Sequence, residues 1–298
     1  MVEIKKVSSL EYGYAKILVF GESGSGKTYF ASTYDPEKTL FINVKSESGL
    51  LTIRALGVDM DIMDVENYKD MKDAVEWIKA NGSKYDVIYI DSLSQWQKNL
   101  ELEIPETGNK FAKWNTIKDY TKEVVNAFKQ LPFHIVFTCE IKTDKDENSG
   151  DILYKPSLLG SSRDEIAYWF DEVYYFTRFQ NKISDPIAYK ALTSAAMKYP
   201  CKSRLRLPQN IDNPNLKEII ELAGFKKVDK DIQLNELKEV AEAKEVLINE
   251  KQIAEIRGLC DDKLLAELTK HYGKALPQLT QSEALDALGR LQKAKEKK

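Results

Sequence analysis

Cysteine is scarce in this chain of 298 residues: Cys139, Cys201 and Cys260 are its only three. They are too few and too scattered for a disulfide framework or a zinc site, so reduced thiols are expected. Long apolar runs are missing too, and no stretch reaches the length a membrane-spanning helix needs. The first residues lack the charged-then-apolar organisation of a secretory signal. A cytoplasmic protein with no membrane partner is the expectation. Excess charge of one sign is also absent, with 44 Lys and Arg against 47 Asp and Glu. Nucleic acid would find no global attraction here, so any DNA contact must come from a local basic surface. His271 has no metal partners near it in sequence and reads as structural or exposed. What remains, 43% hydrophobic and 31% charged residues, suits one large α/β domain plus something small.

The most informative run is Gly21, Glu22, Ser23, Gly24, Ser25, Gly26, Lys27 and Thr28, a complete G-x-x-x-x-G-K-[ST] phosphate loop. The β-branched and aromatic run 16–20 precedes it as a buried strand, and a helix is expected to continue from Tyr29. Glycines let the backbone wrap a phosphate with its N–H groups, and a helix N-terminus adds partial positive charge. Lys27 would reach the β- and γ-phosphates, and the Thr28 hydroxyl would ligate Mg²⁺. The spacing predicts a nucleotide-binding protein.

A second signal follows at 86–91, Asp-Val-Ile-Tyr-Ile-Asp, a hydrophobic strand ending in a carboxylate. Such an acid beside a phosphate loop supports Mg²⁺, which assigns Asp91 to the metal together with Thr28. Ser92 reads as the cap of a helix over 93–102. Strands are expected at 39–44, 61–65, 87–90 (within the run just described) and 134–138, and helices at 68–80 and 117–130. This βαβ rhythm predicts an α/β fold with a mostly parallel, doubly wound central sheet flanked by helices. Ligands in such sheets bind at the carboxyl ends of the strands, where the loop, Glu47, Asp91 and Glu140 would fall. Glu47 there either orients the attacking water or is a solvated loop residue. Glu140 and Thr138 are alternative γ-phosphate sensors.

Beyond Glu140 a β-hairpin is expected, with its tip at 145–150, then a loop, a helix through Phe170, and two antiparallel strands at 171–177 and 187–192. Lys155, Arg163, Arg178 and Lys182 are candidate DNA contacts and Phe179 a candidate base-stacking residue, against a background of ordinary surface charge. Lys202, Arg204 and Arg206 alternate, which places them on one face of a strand if this segment is one. That stripe reads as an intersubunit finger, a DNA contact or a solvated face. Trp77 and Trp169 are expected in the core, and Trp96 and Trp114 partly buried.

The order of these features resembles the phage nucleotide-binding protein family, RecA-like ATPases of phage recombination (single-strand annealing) modules. It runs from the phosphate loop through Glu47-Ser-Gly-Leu50, Ile90-Asp-Ser92, Val136-Phe-Thr138 and Pro156-x-Leu158-x-Gly160 to Lys202-x-Arg204. The resemblance implies a RecA-like ATPase that binds ATP and Mg²⁺ and works as a homo-oligomer. It would act on single-stranded DNA in annealing or strand exchange, with a single-strand-binding protein as a further partner. It assigns Glu47 as the catalytic carboxylate, and Lys202 and Arg204 as γ-phosphate contacts made to a neighbouring subunit. Family members often carry an acid where this chain has Asn43, and a His where it has Glu140. The setting implied is the host bacterial cytoplasm.

Three segments are expected: an ATPase core over 1–225, a charged helical linker over 226–248 and a small three-helix module over 249–298. Asn249 with Gln252 and Thr280 with Glu283 resemble capping boxes within the last segment. The module reads as a dock for DNA or a partner, and the basic end 293–298 as a solvated tail. Two rival functions share the loop. One is a non-hydrolysing ATP-dependent scaffold or loader. The other is a small-molecule kinase, which would need paired lid arginines where Arg163 and Arg178 stand apart.

Overall fold

The structure is a computed structural model. It describes residues 13–47, 49–105, 110–147, 149–180, 187–196, 198–205, 207–223, 230, 233–235, 237, 250–260, 262–273, 275–279, 283–284, 287–288 and 291. The chain divides into two compact units, Met1–Asp231 and Ile232–Lys298.

The first unit is a mixed α/β layer built on a nine-stranded sheet. Its parallel strands are β1 (Lys16–Gly21), β2 (Thr39–Val44), β3 (Asp61–Val65), β4 (Val87–Asp91), β5 (His134–Lys145) and β7 (Glu172–Phe179), ordered β3-β2-β4-β5-β1-β7. Antiparallel β8 (Ala188–Leu192) and β9 (Asn210–Asp212) continue beyond β7, and β6 (Ile152–Pro156) pairs with the far half of β5. Every residue of β1, β2 and β4 is buried, as strands covered on both faces must be. The core they form includes Ile17, Val19, Phe41, Tyr89, Val136 and Phe176.

The helices of this unit are α1 (Lys27–Ala31), α2 (Gly49–Ala55), α3 (Tyr68–Asn81), α4 (Leu93–Glu103), α5 (Lys110–Lys129), α6 (Ser162–Trp169) and α7 (Leu216–Leu222). Local chemistry sets where several begin. The Asn67 side chain accepts from Asp70 N–H at 2.9 Å, and the Asp70 carboxylate returns the bond to Asn67 N–H, a capping box for α3. Ser92 Oγ accepts from Gln95 N–H at 3.2 Å and opens α4.

The expected fold class holds: α/β, mostly parallel, helices on the sheet. Several details differ. The strand at 134–138 and the first arm of the hairpin are one continuous strand of 12 residues, whose far half is extended by pairing with β6. Trp77 is 41% exposed, since α3 buries the face of Met71, Ala74, Val75 and Ile78 and Trp77 lies off it. Trp96 is fully buried and donates from its indole N–H to Asn67 O.

Over the described residues 202–205 the chain is not a strand. Lys202 makes one bridge to Val173, and then the Glu172 carboxylate captures the N–H groups of Arg204 and Leu205 at 2.7 and 3.2 Å. With its donors taken by a side chain, the backbone has none left for a ladder. Arg206 lies outside the described residues, as do Lys182, most of 226–248, Asn249, Thr280 and 292–298. The second unit contains helices Glu250–Leu259 and Asp262–Tyr272. Its buried cluster includes Ile256, Leu276, Leu279, Ala284, Ala287 and Leu291. No helix among the described residues is long and apolar enough to cross a membrane.

Candidate functional site

Strand order decides what meets at the carboxyl edge. β1 lies between β5 and β7, with Gly21 in register with Glu140 on one side and Phe176 on the other. β4 lies beyond β5, so β5 separates the phosphate loop from Asp91. Thr138 of β5 donates from Oγ1 to Asp91 Oδ1 at 2.5 Å.

The loop itself is shaped by glycine. Gly24 and Gly26 have φ of 73° and 91°, the left-handed region that glycine enters without a Cβ penalty. Gly21 is needed for space: a Cβ there would lie 2.2 Å from Phe176 O on β7. Lys27 folds back over the loop and donates from Nζ to Gly21 O and Glu22 O at 2.8 Å each. Burial lowers its pKa, and the neighbouring Asp91, Glu140 and Glu47 oppose that shift. Tyr89 OH donates to Lys27 O at 2.5 Å and anchors the helix start to β4. Ser25 Oγ is buried in the loop with no hydrogen-bond partner among the described residues.

Thr28 Oγ1 donates to Asp91 Oδ2 at 2.7 Å. The pair is a hydroxyl and a carboxylate oxygen, the hard donors Mg²⁺ prefers alongside phosphate oxygens and water. Among the described residues no group of three or more His, Cys, Asp or Glu could hold a metal. Gly49 leaves room beside the pair, since a Cβ there would stand 2.7 Å from Asp91 Oδ2 and 3.4 Å from Thr28 Oγ1.

Glu47 lies three residues past β2 and accepts a hydrogen bond from Ser92 Oγ, next to Asp91. Burial raises the Glu47 pKa and the charges of Asp91 and Glu140 add to it, while the Ser92 hydrogen bond pulls the other way. Glu140 is engaged elsewhere: its carboxylate pairs with Lys98 at 2.8 Å, and its N–H donates to Ser94 Oγ. Asn43, opposite Asp91 in register, donates from Nδ2 to Asp64 Oδ1 at 2.6 Å.

The loop, Thr28, Tyr29, Glu47 and Asp91 thus line one cleft of about 1170 Å³. Lys202 and Arg204 do not join them. Lys202 Nζ donates to Ala167 O at 2.7 Å and Arg204 pairs with Asp171 at 2.6 Å. Both lie near the start of β7, at the sheet edge opposite the loop. Of the proposed DNA contacts, Lys155 pairs with Asp164 at 2.7 Å and Arg163 with Asp144 at 3.2 Å. Arg178 reaches the loop instead, with its guanidinium 3.3 Å from where a Gly24 Cβ would be. Residues that sequence reasoning missed are Gly49, flagged only as part of Glu-Ser-Gly-Leu, and Tyr189, which carries no motif at all.

A protein family described as an AAA domain matches residues 14–205, more than half of the chain. Among solved structures, a KaiC-like protein of the hyperthermophilic archaeon Pyrococcus horikoshii is similar at 15% identity. The likeness covers 60% of this chain and 77% of that one, with a TM-score of 0.34. No curated protein matches.

Proposed function

This chain belongs to the AAA-domain family, and from that premise we propose that it is a magnesium-dependent ATPase whose oligomer acts on single-stranded DNA. The activity proposed is annealing or strand exchange, within phage recombination. The observation that carries the ATPase reading is the Thr28–Asp91 hydrogen bond, set directly beside the Lys27 loop and Glu47.

Lys27 would leave the carbonyls of Gly21 and Glu22 and turn to the β- and γ-phosphates. That exchange is favourable because a phosphate oxygen is a stronger partner for an ammonium than a neutral carbonyl. Thr28 and Asp91 would hold Mg²⁺. When bound, the ion neutralises charge on the phosphate oxygens. Glu47 would orient a water in line with the γ-phosphate and take its proton. A carboxylate whose pKa is raised by burial is a better base near neutral pH than an ordinary one. Ser92 holds the Glu47 side chain in position, and Thr138 holds Asp91.

Lys202 and Arg204 lie at the opposite sheet edge, so a role for them in hydrolysis requires a neighbouring subunit's phosphates. The order of motifs from the loop to Lys202-x-Arg204 supports the assignment to single-stranded DNA, to an oligomer and to a single-strand-binding partner.

The test is ATP turnover with and without single-stranded DNA, with Lys27→Ala as control. DNA-stimulated turnover that disappears in Lys27→Ala is the expected result. A second reading, an ATP-binding scaffold or loader, is favoured by the ion pair that occupies Glu140 where the phage family carries a His. ATP binding without turnover, with or without DNA, would select it. Transfer of phosphate to a nucleoside or nucleotide would instead revive the kinase.

A further inference from the structure

The cleft has two chemically different ends. At one end stand the acids Glu47, Asp91 and Glu140. At the other, beside Gly26 and Thr33, the lining residues Ile187, Tyr189, Asn213, Pro214 and Asn215 carry no charge. The acidic end suits water and metal at the terminal phosphate. A nucleotide anchored by the loop must send its nucleoside the other way, and 1170 Å³ is far more than a triphosphate alone would fill.

The neutral wall comes from the antiparallel β7–β8 hairpin and the turn after β9. Tyr189 pairs in register with Arg178 across the hairpin. The two side chains run along the phosphate loop, the guanidinium at Gly24 and the Tyr189 ring at Gly26. A Cβ on Gly26 would lie 3.2 Å from Tyr189 Cδ1. Tyr189 is half-buried, so part of its ring lines the cleft.

The wall is fastened at both ends. Asn213 N–H donates to Tyr189 O at 2.7 Å, and Asn213 takes a left-handed φ of 46° to do so. Leu216 N–H donates to Thr33 Oγ1 at 2.8 Å, tying the same turn to the segment after α1. The Asn215 side chain accepts from Glu218 N–H and caps α7.

We propose that Tyr189 is the platform for the nucleobase of the bound nucleotide, with the Asn213–Asn215 turn as the edge against which the base is read. The inference rests on the nucleotide-site reading above. A planar aromatic ring offers a π-face to any base, and the Nδ2 groups of Asn213 and Asn215, whose oxygens accept from Tyr189 N–H and Glu218 N–H, can donate to its edge. The assignment places base recognition on the antiparallel extension of the sheet, and phosphate recognition on the parallel part.

The test compares two probes on the full chain, Mg-ATP and Mg-tripolyphosphate, measured by calorimetry. Tyr189→Ala is expected to weaken ATP about ten-fold and leave tripolyphosphate unchanged, with Tyr189→Phe close to wild type. Asn213→Gly keeps the left-handed backbone and is expected to weaken ATP alone as well. Equal affinity of wild type and Tyr189→Ala for ATP would overturn the proposal. Equal loss of both probes in Tyr189→Ala would also overturn it, because Tyr189 would then act only by bracing the loop at Gly26. A wild-type chain that binds neither probe would overturn the nucleotide-site reading itself.

Discussion

Thr28 and Asp91, 63 residues apart, are joined by a 2.7 Å hydrogen bond that closes the phosphate loop onto the end of β4. Asp91 accepts a second hydroxyl from Thr138, so one carboxylate at the end of β4 joins the start of α1 to the middle of β5.

Asp91→Asn is therefore expected to keep the fold and lower turnover about a hundred-fold or more, by removing a fixed charge from the reacting centre. Gly49→Ala is the more specific probe. The added methyl would press on Asp91 Oδ2 and Thr28 and separate the pair. Displacement of this kind is expected to cost roughly ten- to a hundred-fold in turnover. Thermal melting should change little. Steady-state ATP hydrolysis together with a melting curve checks both variants.

Glu47 links activity to pH. Its pKa is raised from 4.5 by burial first, then by Asp91 and Glu140. The folded state thus favours the protonated carboxyl. The stability this contributes is fully present below the unfolded pKa and is lost as pH rises through the folded value. Glu47→Gln removes that loss, so the variant is expected to be more stable than wild type at neutral pH and indistinguishable from it in acid. Turnover should fall about a hundred-fold or more in the same variant. Denaturant titrations across pH, paired with a pH–rate profile of wild type, test the link.

His134 makes the opposite kind of prediction at the other sheet edge. Burial, with Lys16 nearby, lowers its pKa from 6.5 to about 4. Its Nδ1 accepts from Ala15 N–H at 3.1 Å, which a protonated ring could not do. The contribution is present above the unfolded pKa and is lost as pH falls through the folded one. Stability is expected to decline between pH 6.5 and 4, by on the order of 2 kcal/mol from this residue. His134→Gln should flatten that part of the curve in urea titrations.

Much of this molecule is written locally. The phosphate loop, the strand bounds of β2 and β3, and the Ser92 cap depend on spacing and residue type within a few positions. Each can be read wherever it stands in a chain. Asp91 could be read because a hydrophobic strand ending in an acid has one partner of matching chemistry here, the loop at 21–28. Lys202 and Arg204 show where such reading stops. Alternation implied a strand, but the Glu172 carboxylate, brought there by β7, takes the N–H groups that a strand would have used. Trp77 likewise depends on which face of α3 meets the sheet.

The sequence alone determined that Gly21–Thr28 is a complete phosphate-loop motif on an α/β frame, because glycine freedom, a lysine and a hydroxyl at fixed spacing are local requirements. Tertiary structure alone decided what stands around that loop. Strand order places Thr138 against Asp91, a return from β2 brings Glu47 to Ser92, and an antiparallel hairpin lays Tyr189 on Gly26. Those contacts join residues from 45 to more than 150 positions apart. They arise because the observed strand order, β3-β2-β4-β5-β1-β7, fixes which strand ends become neighbours.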